Sequence, residues 1–399
     1  MTERHVIESR DEYLDAVRTI AAGSGPIAVD AERASGYRYS QRAYLIQLYR
    51  RGAGLFLFDP PAIGRFDELN EAIAPAEWVL HAASQDLACL REVGLDPVRI
   101  FDTELAARLL GFPRVGLGTV VEELLGIHLA KEHSAADWST RPLPTTWLEY
   151  AALDVELLVD VRDKLADMLD EGGKRTIAAE EFEATLARQP KLQRQDPWRR
   201  LSGLNTVRGA RNLAIARELW LERDAFARES DIAPGRLVPD SSLVAAVRAE
   251  PRSRAALAAV REFKGRASRS ELPRWWAAIE RGLTTDDLPP IRGTSGETMP
   301  PARSWAERNP DADARLKAAR TSIAAISEDL AIPIENLLTP ELLRRVAWNP
   351  PEPVTAETIG DALESLSARP WQIEATAQAI ASAFVESSQL ASEAPKPES

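Results

Sequence analysis

The segment Gly25-Pro26-Ile27-Ala28-Val29-Asp30-Ala31-Glu32 constrains the fold more than any other stretch of this 399-residue chain. After the Gly-Pro breaker, Ile27-Ala28-Val29 is apolar and β-prone, so residues 26–33 read as a buried strand. Residues two apart on a strand share a face, so Asp30 and Glu32 project side by side among hydrophobic neighbours. Two like charges ~4 Å apart repel by ~4 kcal/mol at an effective dielectric near 20. The pair therefore needs cations, protonation or solvent. Taken alone, the segment fits an exposed strand end with two solvated acids equally well.

Two further segments carry acids in suggestive places. Asp86 follows the apolar run Trp78-Val79-Leu80 and sits just after Ser84, which reads as a helix N-cap. An acid there ordinarily complements the helix dipole. Tyr150 and Asp154 stand at i and i+4 on a helix predicted from about Thr145 into the Leu165 region, and so share one face. By themselves they signify a surface hydrogen bond. The combination says more. One acid–base pair supplies ~10²–10⁴-fold, and the slowest phosphate chemistry demands far larger acceleration. Two cations ~3.5–4 Å apart stabilise both the attacking and the leaving oxygen of an in-line displacement. Hard divalent cations take oxygen ligands. Four carboxylates without clustered Cys or His therefore suit magnesium or manganese, not zinc.

The wider pattern resembles the DEDD-type 3′–5′ exonucleases, and among them the ribonuclease D family. Beyond the acids, Tyr44-Leu45-Ile46-Gln47-Leu48 resembles that family's second strand. His81-Ala82-Ala83-Ser84-Gln85-Asp86-Leu87 is similar to its second motif, and the run from Phe101 through Asp102-Thr103-Glu104 to Gly111 to the strand and helix after it. Asp137-Trp138-Ser139-Thr140-Arg141-Pro142-Leu143, then Tyr150 to Val155, resembles the third motif with its lead-in. The likeness spans roughly residues 25–165. It implies an RNase H-like α/β domain with a mixed sheet: three antiparallel strands and further strands beside them. It also implies two divalent cations, Mg2+ or Mn2+. Asp30 would bridge both; Glu32 and Asp154 would hold the one that carries the attacking water. Asp86 would act at the other through water, and Tyr150 would orient the nucleophile.

A sister class carries histidine five residues before the last Asp; Glu149 stands there, so the tyrosine class is implied. His81 and Asp86 show the histidine spacing, but using them would enlist Asp59 or Asp67 and leave Tyr150 and Asp154 idle. His81 is therefore expected to pack or hydrogen-bond beside the site, and His128 and His133 carry no signal. The chain departs from the family at Asp30-Ala31-Glu32-Arg33, where many members have Asp-Thr-Glu and then an aromatic that seats the terminal base. Tyr37, Arg38 and Tyr39 are candidate substrate contacts in its place, by stacking or phosphate binding. Lys131 and Arg141 are candidate phosphate contacts.

One cysteine, Cys89, excludes a disulfide framework and a thiol-rich metal site. The N-terminus lacks the apolar core of a signal peptide, and no apolar run approaches the ~20 residues of a membrane span. A cytoplasmic protein is expected, with no membrane partner and a monomer favoured. The net charge of −12 argues against nucleic acid, but its distribution does not. Arg188, Lys191, Arg194, Arg199, Arg200, Arg208, Arg211 and Arg217 form one basic stretch; Arg248, Arg252, Arg254, Arg261, Lys264, Arg266, Arg269 and Arg274 form a second. Local patches, not totals, control phosphate binding.

The remainder reads as helical. Residues 1–190 form the exonuclease-like unit. In 207–283 an amphipathic helix from about Val207 leads to the Pro234-Gly235-Arg236-Leu237-Val238-Pro239-Asp240 link and shorter helices. This resembles an HRDC domain, a helical nucleic-acid-binding module, with Trp275 and Trp276 in its core. Residues 284–304 read as a Pro/Thr/Gly linker. Residues 305–388 repeat the helix–link–helix plan as a divergent second HRDC-like module, and 389–399 as a disordered tail. The expected activity is a 3′–5′ exoribonuclease that releases nucleoside 5′-monophosphates. Its expected substrate is the single-stranded 3′ end of structured RNA precursors such as tRNA. The alternatives are a DNA-directed 3′–5′ exonuclease and an inactive RNA-binding adaptor, and the intact set of acids with Tyr150 argues against the latter.

Overall fold

The computed structural model describes residues 4–129, 135–189, 195–291 and 299–393. Its catalytic-type region is built on a six-stranded mixed sheet in the order β1-β4-β3-β2-β5-β6. The strands are β1 (Val6–Ile7), β2 (Ile27–Arg33), β3 (Ala43–Arg50), β4 (Gly54–Phe58), β5 (Trp78–Leu80) and β6 (Ile100–Asp102). Strands β2, β3 and β4 run antiparallel to their neighbours in that trio, whereas β5 and β6 continue parallel to β2.

The alternation along β2 decides where its acids go. Ile27, Val29 and Ala31 enter the main apolar core with Tyr13, Val17 and Ile20 of the helix Arg10–Ala22. Ala28 faces the other way, against Val155, Leu158 and Val159. Asp30 and Glu32 follow Ala28 on that second face. Leu45 of β3, in register with Glu32, packs there against Leu148 and Ala151. The helix Thr145–Glu156 is thus seated on the sheet face that carries the acids, and Tyr150 and Asp154 ride on it. It ends one residue before the helix Leu158–Glu171, so the predicted continuous helix is broken at Leu157.

Near the end of β2 the ladder is irregular: Glu32 pairs with Leu45, but Arg33 pairs with Ala43, leaving Tyr44 as the extra residue. The Tyr44 carbonyl accepts from Arg141 at 2.7 Å instead.

Residues 198–283 have an apolar core of their own, around Trp198, Leu219, Val247 and the wholly buried Trp275. Trp276 is packed against its margin. By contrast, the core of the last helical region, including Trp305, Leu316, Ile323 and Phe384, is continuous with that of the catalytic region. The two helical regions nonetheless repeat one plan. Ala210–Ser230, Pro234–Leu237 and Asp240–Arg248 correspond in length and order to Pro310–Leu330, Ile334–Leu337 and Pro340–Trp348. Each long helix ends on a left-handed residue, Asp231 or Ala331. Each of those corners docks on the catalytic region. Asp231 accepts from Ser40 N–H and the Tyr44 hydroxyl, and the Ala331 carbonyl lies 2.8 Å from where a Cβ would stand on Gly111. Of the expected tail, 389–399, residues 389–393 instead continue the helix Pro370–Glu393, and the rest lies outside the described residues, as does the middle of the linker. No helix among the described residues is long and apolar enough to cross a membrane.

Candidate active site

Asp30, Glu32 and Asp154 each offer a carboxylate oxygen, and these three atoms lie within 4.8 Å of one another. Asp86 lies outside that triplet but lines the same cavity, of about 450 Å³, with His81, Arg33, Tyr150 and Gly116. The structure therefore brings together all four sequence-predicted acids and the tyrosine, from one strand, a turn and a helix.

Burial is the main reason these carboxyls are unusual. It raises Asp30 above the ordinary range, and raises Glu32 well above it, with the charges of Asp30, Asp154 and Asp86 adding to the effect. Burial followed by the Asp30 charge pushes both Asp86 and Asp154 up to about 8. Tyr150 is raised further by burial and by the Asp154 and Glu32 charges, and its phenol is hydrogen-bonded to Asp154. It is therefore a protonated donor that orients a carboxylate. His81 is driven down to about 4 by burial and is hydrogen-bonded through Nδ1 to Thr103 Oγ1 at 2.9 Å. A neutral imidazole tied to Thr103 fits the packing role expected for it.

The donor set fits divalent cations. It is all oxygen, three atoms already converge, and the mutual repulsion falls when a cation is bound. A second observation agrees. Gln47, wholly buried and in register with Asp30 on β3, has no hydrogen-bond partner among the described residues on either side-chain atom. Buried polar groups are nearly always satisfied, and the hydration shell of a cation at Asp30 would supply partners.

Sequence reasoning missed the support for Asp86. Ser84 is not a helix cap; it lies inside the short 3₁₀ turn Ala83–Gln85, exposed to solvent. The loop is held instead by Asp102. One of its oxygens accepts from the N–H groups of Ala82, Glu104 and Leu105 at 3.0–3.1 Å, and the other from Ala83 at 2.8 Å. That clamp keeps Ala82 in the left-handed region at φ 62° and brings Asp86 to the cavity. Asp86 heads the helix Leu87–Glu92 without capping it by its side chain, leaving the carboxylate for the site. An Asp directly before a helix, as in Phe101-Asp102-Thr103, was the available signal.

The candidate substrate contacts are placed elsewhere. The Arg236 guanidinium lies over the Tyr37 ring, its Cζ 3.7 Å from the ring centroid, and the Tyr37 carbonyl accepts from Ala233 N–H at 3.0 Å. The Tyr39 hydroxyl donates to Asp224 at 3.1 Å. Both tyrosines thus dock the first helical module onto the catalytic region. Arg38 is hydrogen-bonded to Ser139 at 2.8 Å. Arg141 is saturated by buried Asp59 at 2.5 Å and by the carbonyls of Trp138, Thr140 and Tyr44, so it braces a loop instead of presenting itself to phosphate. Asp59 is thereby spoken for, and Asp67 is an exposed partner of Arg65. Lys131 and His133 lie outside the described residues.

The two basic stretches also differ. In the first, Arg199, Arg211 and Arg217 are bound to Asp196, to the carbonyls of Gly282 and Thr285, and to Asp287; Lys191 and Arg194 are outside the described residues. In the second, Arg274 is paired with Glu222, but Arg248, Arg252, Arg254, Arg261, Lys264, Arg266 and Arg269 are all exposed. Among the described residues none of these seven enters an ion pair or side-chain hydrogen bond.

Comparison with known proteins matches residues 5–170 to a family described as 3′–5′ exonuclease. Residues 212–279 match the HRDC domain and 298–384 a 3′ to 5′ exonuclease C-terminal domain. A ribonuclease D from Jannaschia sp. is 30% identical over 311 residues, covering 75% of this chain and 80% of that protein. The chain belongs to the ribonuclease D family. Members of that family are 3′–5′ exoribonucleases. Alignments to the curated relatives take in from 33% to 80% of those proteins' lengths. Escherichia coli RNase D, described as an exoribonuclease involved in structured RNA processing, superposes with a TM-score of 0.66. It is 28% identical, and the match covers 91% of this chain and 98% of that one. A protein from Bifidobacterium adolescentis superposes with a TM-score of 0.88 at 37% identity, covering 96% of this chain and 97% of that one. The ribonuclease D fold thus extends through both helical modules.

Proposed function

We propose that this ribonuclease D family protein is a divalent-cation-dependent exonuclease that shortens RNA from its 3′ end, one nucleoside 5′-monophosphate at a time. Structured precursors such as those of tRNA are the proposed substrates, and the cytoplasm, where they mature, the proposed compartment. The carrying observation is the convergence of Asp30, Glu32 and Asp154 within 4.8 Å on a face shared with Asp86 and Tyr150. Two Mg2+ or Mn2+ ions bound there would act as Lewis acids on the attacking and leaving oxygens.

The chain's own groups then have distinct tasks. Asp30, Glu32 and Asp154 hold one cation position, and Asp86 serves the other with Asp30. Tyr150 keeps its proton and fixes Asp154. His81, held down to about 4 by burial and bonded to Thr103, is a poor base near neutral pH. The seven exposed cations of 248–269 give the RNA backbone an electrostatic hold remote from the reacting phosphate.

The test uses an RNA stem with a single-stranded 3′ extension, next to DNA of the same sequence, with Mg2+. The expected result is stepwise trimming of the RNA extension, stalling near the stem, with nucleoside 5′-monophosphates as the sole small products. Trimming of the DNA alone, or nucleoside 3′-monophosphates as products, would contradict it.

A further inference from the structure

Arg33 stands at the position where this chain departs most clearly from its family's motif, and the structure gives it a specific contact. Its guanidinium Nη2 lies 3.2 Å from Asp86 Oδ1, in an ion pair whose side chains are 26% and 8% exposed. Regular alternation would turn Arg33 away from Glu32 and out of the site. Its long side chain nonetheless turns back into the cavity lined by the four acids, from the strand end opposite the extra residue Tyr44. Asp86, in turn, is the acid that stands outside the three-oxygen cluster, and its side chain does not cap the helix it heads. A cation supplied by the protein thus sits on the carboxylate that otherwise serves the second metal position.

We propose that Arg33 is an intramolecular competitor for that second cation, releasing Asp86 only when a phosphate at the site accepts the guanidinium. The inference rests on the reading that these carboxylates hold divalent cations. Arginine binds phosphate through two parallel N–H donors, a geometry at least as favourable to it as a single carboxylate oxygen. Phosphate and second cation therefore bind cooperatively: each strengthens the other by the same factor. The first position, at Asp30, Glu32 and Asp154, is filled without nucleotide. Arg33 is accordingly a positioning residue. It delays assembly of the full site until a nucleotide 3′ end is in place.

The experiment is Mn2+ binding, followed by electron paramagnetic resonance and calorimetry on the full chain, with and without adenosine 5′-monophosphate. No turnover is involved. Wild type is expected to bind one Mn2+ tightly and the second tightly only with the nucleotide. In Arg33→Gln the second Mn2+ is expected to bind about tenfold more tightly without nucleotide, and the nucleotide to add little. Arg33→Lys keeps a cation beside Asp86 and is expected to leave the second Mn2+ weak without nucleotide, with a smaller gain from the nucleotide because the paired N–H donors are lost; it also guards against a glutamine variant that folds poorly. The gain is expected to vanish in Arg33→Gln combined with Asp86→Asn. Identical titrations of wild type and Arg33→Gln would overturn the inference while leaving the cation site intact. So would a gain that survives Asp86→Asn, since a general field effect would then explain it. A wild type that binds no Mn2+ at all would sink the cation reading and this inference with it.

Discussion

At the scale of single residues, the site is a set of carboxyls held together against their own repulsion. Asp86 and Asp154 lie near 8 in the folded chain, against 3.8 for an ordinary aspartate. Between those values the folded chain keeps protons that the unfolded chain has shed, so these two groups make stability fall as pH rises. His81 works the other way, but only between about 4 and its ordinary 6.5. Without divalent cations, the melting temperature is therefore expected to fall from pH 6.5 to pH 8, and Mg2+ at pH 8 is expected to restore it. Melts in EDTA and in Mg2+ across that range decide the point; an EDTA melting temperature that rises towards pH 8 would contradict it. All the acids were legible in the sequence because their spacing and apolar context survive translation into geometry. The roles of Tyr37, Tyr39 and Arg141 were not. Each depends on partners far away in sequence: Arg236, Asp224 and Asp59.

Elements position these residues through period and clamp. The 27–33 strand was readable because its odd and even residues face two different surroundings, the helix Arg10–Ala22 and the helix Thr145–Glu156. Strand β1 was not, since two residues carry no periodicity and the strand exists only through its pairing with Leu57 and Phe58. The Asp102 bonds to Ala82 and Ala83, unlike its N-cap position, cannot be read until β6 lies beside β5. Removing the clamp by Asp102→Ala leaves buried N–H groups unpaired, at about 1–3 kcal/mol. Activity is expected to fall ~10–100-fold as the Asp86 turn relaxes, the usual effect of losing a group that orients a ligand. Asp102→Asn keeps the oxygen that takes three of the four hydrogen bonds and is expected to lose less of both. Thermal melts and turnover rates on the two variants check this, and an alanine variant with wild-type turnover would show that the clamp does not position Asp86.

Across the whole molecule, the catalytic region and the last helical module share one core, joined by Arg369 and Trp371 on buried Glu181. The first helical module has its own core and is attached through Tyr37, Tyr39 and Asp231. The repeated helix–link–helix plan could be read from sequence, but not which copy merges with the catalytic core, because that depends on surface complementarity. The first module also carries the unpaired cations of 248–269. RNA affinity is expected to fall steeply with salt, and neutralising Arg254, Arg261 and Arg266 together to make the log–log slope shallower by about 2. An unchanged slope would remove that face from the RNA path. The central claim, that the four acids cut RNA through bound cations, is tested most directly by one measurement. It is the single-turnover rate of 3′ shortening of a 5′-labelled RNA, followed against free Mg2+ for wild type and Asp30→Ala. Wild type should show a rate that rises with Mg2+ and vanishes in EDTA, while Asp30→Ala stays inactive at every concentration yet still binds RNA. Shortening that persists in EDTA, or an Asp30→Ala variant with the wild-type rate, would contradict the account.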